Sequence, residues 1–404
     1  MNTDMQVASD ISIPLEAGRS YPAMGYMPQL DGLRALAVLT VLIQHWGGSH
    51  LNVSGIPIGG FGVGLFFVLS GYLITGILLE NKSNSRGENA TNLKRFWARR
   101  VLRIFPVFYA AIALGCLFKI PGVSDHWVWH VPYLTNVRLY FLDDGRSLGY
   151  ATHFWTLAIE EQFYMFWPMV ILFAPNRTIP ILVALAIMTA PVWRAVHSSF
   201  LIPHSSFLIP QSSFLIPHSS VSWALLPNQL DYLGMGALMA VFRGSGRLKA
   251  KHFSIIAVTV GALGFAICHF GNCFGSIKQT FVSLNFCGII IAASSGIRGP
   301  IGRFLESRPM TFLGRISYGI YVFHMFAPFF WNYFFYSFPI PGYRIMYRFG
   351  IPETVYEHPL FLIVMYSIFT LTTATVSFFG MESPLMKLKP CFPYVRARTL
   401  STLG

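Results

Sequence analysis

Residues 30–46, LDGLRALAVLTVLIQHW, are an apolar run that carries three ionisable side chains, Asp31, Arg34 and His45. A helix rises about 1.5 Å per residue, so Arg34 and His45 would sit roughly 16 Å apart, about half a bilayer's hydrocarbon core. Charge in such a segment is costly and needs a partner or a purpose. Asp31 and Arg34, at i and i+3, could form a plain ion pair that pins the helix end at the interface, or they could serve a site. His45 lies well into the apolar run, where an imidazole that titrates near neutrality is the usual proton acceptor in catalysis.

Other stretches carry chemistry of the same kind. RFWARRVLRIFP at 95–106 repeats Arg99, Arg100 and Arg103 at helical spacing, with Pro106 expected to end or kink the pattern. It could be an interfacial helix on anionic lipid, or a clamp whose guanidiniums hold phosphates bidentately. THFWTLAIEEQFYMFWP at 152–168 puts Glu160, Glu161 and Gln162 on an aromatic helix. Adjacent positions point about 100° apart, so one glutamate faces an interior site and the other a neighbour or water; spacing does not say which. Ser70 and Tyr72, in a glycine-rich run at 59–79, could offer hydroxyls to a buried polar site, the glycines themselves reading as packing. Asp231 lies in PNQLDYLGMGALMA, and Ser317, Tyr318, Tyr321 and His324 lie in MTFLGRISYGIYVFHMF. Tyr321 and His324 share a face, and taken alone His324 reads as a satisfied core histidine. Glu382, in FFGMESPLMKLK, could pair with a nearby lysine.

The elements that must position these groups follow from composition. Of 404 residues 54% are hydrophobic and only 11% charged, against about 25% charged in soluble domains. The expected fold class is all-α, a polytopic membrane protein with about ten transmembrane helices, near 31–48, 61–79, 104–120, 155–174, 178–196, 223–242, 253–270, 279–297, 311–335 and 358–380. Strongly basic loops follow the second, sixth, eighth and tenth runs, so by the positive-inside rule both termini are cytoplasmic and His45 lies in the outer half. The net charge of +13 is spread between apolar runs and reads as topology, not as a nucleic-acid footprint. The cysteines form no CxxC pair and no zinc pattern, so no metal site is expected, although Cys268 and Cys273 could pair. Residues 1–29 read as a short tail without a cleavable signal, 30–389 as the membrane domain, and 390–404 as a second tail. The outer loop 121–153 is aromatic, an interface belt or a platform for sugar rings. Residues 197–220 are a tandem heptapeptide, HSSFLIP and variants, whose regular prolines exclude a continuous helix; His197, His204 and His218 are assigned no chemistry there.

In order along the chain, LDGLRALAVLTVLIQH, FFVLSGYLIT, RRVLRIFP, FWTLAIEEQFY, LDYLGMGALMA, LGRISYGIYVFH and ESP together resemble the acyltransferase 3 family of bacterial membrane O-acyltransferases. The resemblance implies about ten transmembrane helices in the bacterial inner membrane. It also implies transfer of an acetyl or similar acyl group to hydroxyls of cell-surface glycans, lipopolysaccharide, peptidoglycan or lipid-linked sugars. Carried over by position, Arg34 and His45 match the essential pair of the first helix, and Arg99, Arg100 and Arg103 match arginines associated with acyl-CoA use. Glu160 or Glu161 matches an acidic motif of the fourth helix. Thr156 stands where the family usually has serine, and the heptapeptide repeat is an insertion. Some members carry a fused extracytoplasmic SGNH hydrolase-like domain; none is expected here, so the protein either acts alone or relies on a separate extracytoplasmic transferase.

Joined, the two readings expect no permanently bound cofactor, with acetyl-CoA or another acyl-CoA as co-substrate and a glycan or glycolipid as acceptor among membrane lipid. His45 would be general base or transient acyl carrier, with a carboxylate at Glu160 or Glu161 orienting its ring. Arg34 would bind the donor or balance charge, and Asp31, Ser70, Tyr72, Asp231, Ser317, Tyr321 and His324 would be supporting polar groups. A proton-coupled transporter or flippase, with Asp231, Glu160, His45 and His324 as its relay, is the alternative; a degenerate scaffold is a third reading, which intact Arg34 and His45 oppose. Deleting residues 204–217, two whole periods of the repeat, is expected to leave acyl transfer largely intact at matched protein levels.

Overall fold

The computed structural model describes residues 24–47, 58–84, 87–142, 148–200, 221–245, 250–271, 275–337 and 342–394. Asp143, Asp144, Cys273, the repeat after Phe200 and the tail after Tyr394 lie outside these. Among the described residues the fold is all helix, without a strand. In chain order the helices are α1 (Pro28–Trp46), α2 (Ile58–Asn84), α3 (Asn89–Leu117), α4 (Trp127–His130), α5 (Thr135–Leu142), α6 (Phe154–Phe173) and α7 (Ile179–Phe200). They continue as α8 (Leu226–Ser245), α9 (Ala250–Phe270), α10 (Gly275–Ser294), α11 (Pro300–Leu305), α12 (Arg308–Phe323) and α13 (Phe326–Asn332). The last are α14 (Gly342–Arg348), α15 (Glu353–Tyr356), α16 (Pro359–Ser377) and α17 (Ser383–Met386).

Among the described residues six helices are long and apolar enough to cross a membrane: α2, α3, α7, α9, α10 and the run Pro359–Cys391 that opens with α16. Ten runs were expected. Of the others, α12 has only 16 residues, while α1, α6 and α8 carry the acids, amides and arginine of the motifs above. Two boundaries differ in a way that matters. The arginine segment is the first half of α3 itself, and Pro106 lies inside that helix without ending it. The run 311–335 breaks at His324–Met325, where the His324 ring bonds the carbonyl of Tyr321 and so satisfies a helix-end acceptor. At the other end of the domain, Gln29, expected in the tail, is buried in α1 and bonds both Ile297 and Glu306.

Packing brings the motif-bearing helices together. A Cβ on Gly314 of α12 would strike the carbonyl of Asp31, and His324 lies against His45, so α1 and α12 run parallel in close contact. Helices α2 and α8 cross where Gly71 meets the Leu233 carbonyl and Gly236 meets that of Val68; any side chain at either glycine would force the backbones apart. Two apolar cores result. One is built on α2, α6, α8 and α10, the other on the ends of α1, α3, α6 and α12; Val63, Phe66, Phe105 and Tyr318 pack against both.

Asp231 belongs to neither. It is fully buried and accepts from Arg194 at 2.6 Å and from Thr280 at 2.8 Å, while Arg194 also donates to Ser276 O, Asn228 O and Gln279. Both charges are thus saturated by a network that ties α7, α8 and α10. Removing one partner strands the other in an apolar interior. Asp231→Ala is therefore expected to destabilise the fold by about 3–5 kcal/mol, read as a lower thermal unfolding midpoint in detergent.

Candidate active site

Where the two cores meet lies a cavity of about 90 Å³, lined by residues of α1, α2, α3, α6 and α12. Three guanidiniums enter it, from Arg34, Arg100 and Arg103, together with the Glu160 carboxylate and the hydroxyls of Ser70, Thr156, Tyr164, Ser317, Tyr318 and Tyr321. Helical spacing does the local work: Ser317 and Tyr321 are one turn apart on α12, as are Thr156, Glu160 and Tyr164 on α6. Ser70 donates to Glu160 at 2.6 Å, so with its single proton committed it accepts from Tyr164 at 2.9 Å. Thr156 and Tyr321 share a hydrogen bond of 2.6 Å across α6 and α12. Arg34 is paired with Asp31 at 2.9 Å. Among the described residues Arg100 and Arg103 have no carboxylate at ion-pair distance, and Arg100 instead rests over the rings of Tyr164 and Phe96 at 5.0 and 5.5 Å. The cavity therefore holds more cation than anion and suits a negatively charged ligand.

His45 does not line this cavity. It stands exposed at the end of α1, its Nδ1 3.0 Å from Nε2 of the buried His324. A third buried histidine, His153, packs edge-on to His324 with centroids 4.7 Å apart and donates to Val322 O at 3.0 Å. The ring of Tyr321 touches both buried histidines while lining the cavity, and so separates the two groups. The expected carboxylate beside His45 is thus replaced by a histidine, because Glu160 is turned to Ser70 and the cavity.

The remaining expected residues divide among other places. Glu161, one step round α6, opens on a separate cavity of about 460 Å³ between α3 and the 131–133 turn, with Trp97, Phe105 and Tyr109; Arg100 and Tyr164 line both cavities. Arg99 leaves the cluster to hold the C-terminal segment: it donates to Phe392 O at 3.1 Å and Lys389 O at 3.4 Å and lies over the Tyr394 ring at 4.3 Å. Tyr72 faces α8, where Arg243 donates to its hydroxyl, and does not join Ser70. Glu382, buried in the turn after α16, has Arg103 as a charged neighbour and, among the described residues, no lysine at ion-pair distance. In the outer turn His130 is buried between Gly122 O and Thr135, and burial pulls its imidazole down to about 4, so it is a neutral structural group.

Sequence reasoning gave no role to Tyr164 or Arg194, and placed His153 only in the outer loop 121–153. Tyr164 is one turn beyond Glu160, a spacing that could have flagged it, and a lone arginine inside an apolar run marked Arg194 equally well. His153, just ahead of α6, has no local signature.

Residues 27–379 match the profile of a family described as an acyltransferase domain, acyltransferase 3. The peptidoglycan O-acetyltransferase OatA of Listeria monocytogenes is 29% identical over 337 residues, 74% of this chain and 49% of that protein. The putative peptidoglycan O-acetyltransferase YrhL of Bacillus subtilis is also 29% identical, over 74% of this chain and 48% of its own length. A putative O-acetyltransferase of Staphylococcus aureus is 34% identical over 163 residues, 37% of this chain and 26% of its own. The chain spans about half the length of the first two relatives. No solved structure matches it.

The Arg99 contacts generate a direct test. Hydrogen bonds to a charged donor contribute about 1.5–3 kcal/mol each, so Arg99→Ala is expected to loosen the turn at Lys389–Cys391. Amide exchange at Cys391 and Phe392, whose N–H groups are bonded within that turn, should then speed up by about tenfold or more.

Proposed function

We propose, since the chain belongs to the acyltransferase 3 family over residues 27–379, that it is a membrane O-acetyltransferase carrying an acetyl-sized group from a cytoplasmic acyl-CoA to a glycan hydroxyl. The observation that carries the proposal is the cation-rich cavity on one side of Tyr321, with His324 and then the exposed His45 on the other. An acyl-CoA is a thioester on a polyanionic handle, so it needs guanidiniums at one end and an apolar, hydroxyl-lined pocket at the other. Arg100 and Arg103 supply the first, and Arg34, balanced by Asp31, adds to their field. The volume of about 90 Å³ has room for a few waters and hence for a short acyl group, in keeping with relatives named as O-acetyltransferases.

In the proposed reaction His45 takes the proton of the acceptor hydroxyl as its oxygen attacks the thioester carbonyl. The tetrahedral intermediate collapses with breakage of the C–S bond, and the thiolate recovers the proton from His45. Because His45 lies beyond Tyr321, the step requires the thioester carbonyl at the Tyr321 side of the cavity and the Tyr321 ring to turn aside; Tyr321, Thr156 and Ser317 supply the hydroxyls lining that side, and Glu160 holds Ser70 and through it Tyr164. Ten spans, cytoplasmic termini and placement in a bacterial inner membrane complete the proposal: the donor arrives from the arginine side and the acceptor from outside. A polysaccharide or lipid-linked sugar is the acceptor class, with peptidoglycan favoured by the names of the relatives. The transporter alternative loses a relay member, since Asp231 is saturated by Arg194 and Thr280.

Ester-linked acyl content of surface glycans in a deletion strain tests the proposal. Wild-type protein should restore a base-labile ester, and His45→Ala at matched levels should restore about 100-fold less. In reconstituted vesicles Arg100→Ala with Arg103→Ala should raise the donor KM by about tenfold or more, as lost charge-assisted contacts would. Unchanged ester content with a precursor accumulating inside would favour transport instead.

A further inference from the structure

The histidine pair next to Tyr321 has its protons assigned by its acceptors. Tyr321 O lies 2.6 Å from His324 Nδ1, and a carbonyl oxygen only accepts, so Nδ1 carries hydrogen. In neutral imidazole the lone pair is then on Nε2, which sits 3.0 Å from His45 Nδ1. Two lone pairs would not face each other at that distance, so His45 Nδ1 is the donor and the free lone pair of His45 is on Nε2. The chain of donation therefore runs from His45 Nδ1 to His324 Nε2, and from His324 Nδ1 to the Tyr321 carbonyl, with the Val41 carbonyl a second acceptor beside the His45 ring.

We infer that His324 is the positioning residue of the proposed transfer: it fixes His45 as the Nδ1–H tautomer and presents Nε2 to the acceptor hydroxyl. This rests on the reading of His45 as the base. When Nε2 takes the hydroxyl proton, His45 becomes an imidazolium whose Nδ1–H already points at an acceptor, and that proton stays between the two rings while Nε2 later returns the other to the thiolate. In a nucleophile–base triad a carboxylate fills this orienting role. Here a second imidazole does so, itself held by a backbone carbonyl. Two further contacts, and complete burial, hold the His324 ring and its backbone in place. His153 packs edge-on to the ring, Trp46 donates to His324 O at 3.3 Å, and His324 is 0% exposed. The break between α12 and α13 is what frees the Tyr321 carbonyl for this use, so the local helix ending and the tautomer are one feature.

Full-length protein in lipid nanodiscs, labelled with 15N-histidine, reports the tautomer independently of turnover. The Nδ1–H form of His45 is expected in wild type, and an Nε2–H form would overturn the inference. Kinetics give a second reading. His324→Leu should lower kcat by about 100-fold with donor KM changed less than about twofold. His324→Gln, whose carboxamide oxygen can accept from His45 and whose NH₂ can donate to Tyr321, should recover most of the rate. Equal loss in both variants, or full kcat in His324→Leu, would also overturn it. Should His324→Leu fail to fold, the wild-type spectrum and the glutamine variant still decide. A wild type that transfers no acyl group sinks the proposed function itself, whereas a wrong tautomer in an active enzyme sinks only the role of His324.

Discussion

The parallel contact of α1 with α12 is the constraint on which the rest of the structure depends. At one end Gly314 lets the two backbones touch beside Asp31; at the other His45 meets His324. With both ends set, Arg34 must face the same interior as Ser317 and Tyr321, and His45 must emerge beyond it. Cation and imidazole are thereby held on one helix pair with a tyrosine ring between them. A methyl group at residue 314 would shift this register at its tightest point.

Buried charge is used in two contrasting ways. Arg194 is surrounded by acceptors and neutralised by Asp231, so it fastens three helices and has no capacity left for a ligand. Arg100 lies over the rings of Phe96 and Tyr164, and both it and Arg103 line the cavity with no carboxylate at ion-pair distance among the described residues. A cation without a directly bonded carboxylate in a region of low dielectric attracts an anion far more strongly than it would in water. The same residue type is thus structural at one site and receptive at the other, and the difference lies wholly in what surrounds it.

Helix α6 divides the chemistry a second time. Its adjacent glutamates point into different cavities, Glu160 to the arginines and Glu161 to the larger aromatic recess. Arg100 and Tyr164 form the shared wall, so a ligand in either cavity would feel the same guanidinium. Arg99, one residue before, is drawn out of this arrangement by the carbonyls of the C-terminal turn.

Much was legible in the amino-acid sequence alone. Low charge and long apolar runs gave an all-helical membrane chain, and the order of the motifs pointed to the family whose profile covers residues 27–379. The i, i+3 pairing of Asp31 with Arg34 was also readable, because it is local. What the sequence could not contain was the partner of each group. His45 and His324 are 279 positions apart, Ser70 and Glu160 are 90 apart, and Arg99 reaches carbonyls 290 and 293 residues away. Helical periodicity tells which residues share a face, but not which face meets which; only packing decided that Glu160 and not Glu161 enters the cavity lined by Arg34, Arg100 and Arg103, and that His45 leans on a histidine. The physical reason is that burial and hydrogen bonding are settled between helices, where Gly71, Gly236 and Gly314 set how closely the backbones approach, and separation along the chain carries no record of it.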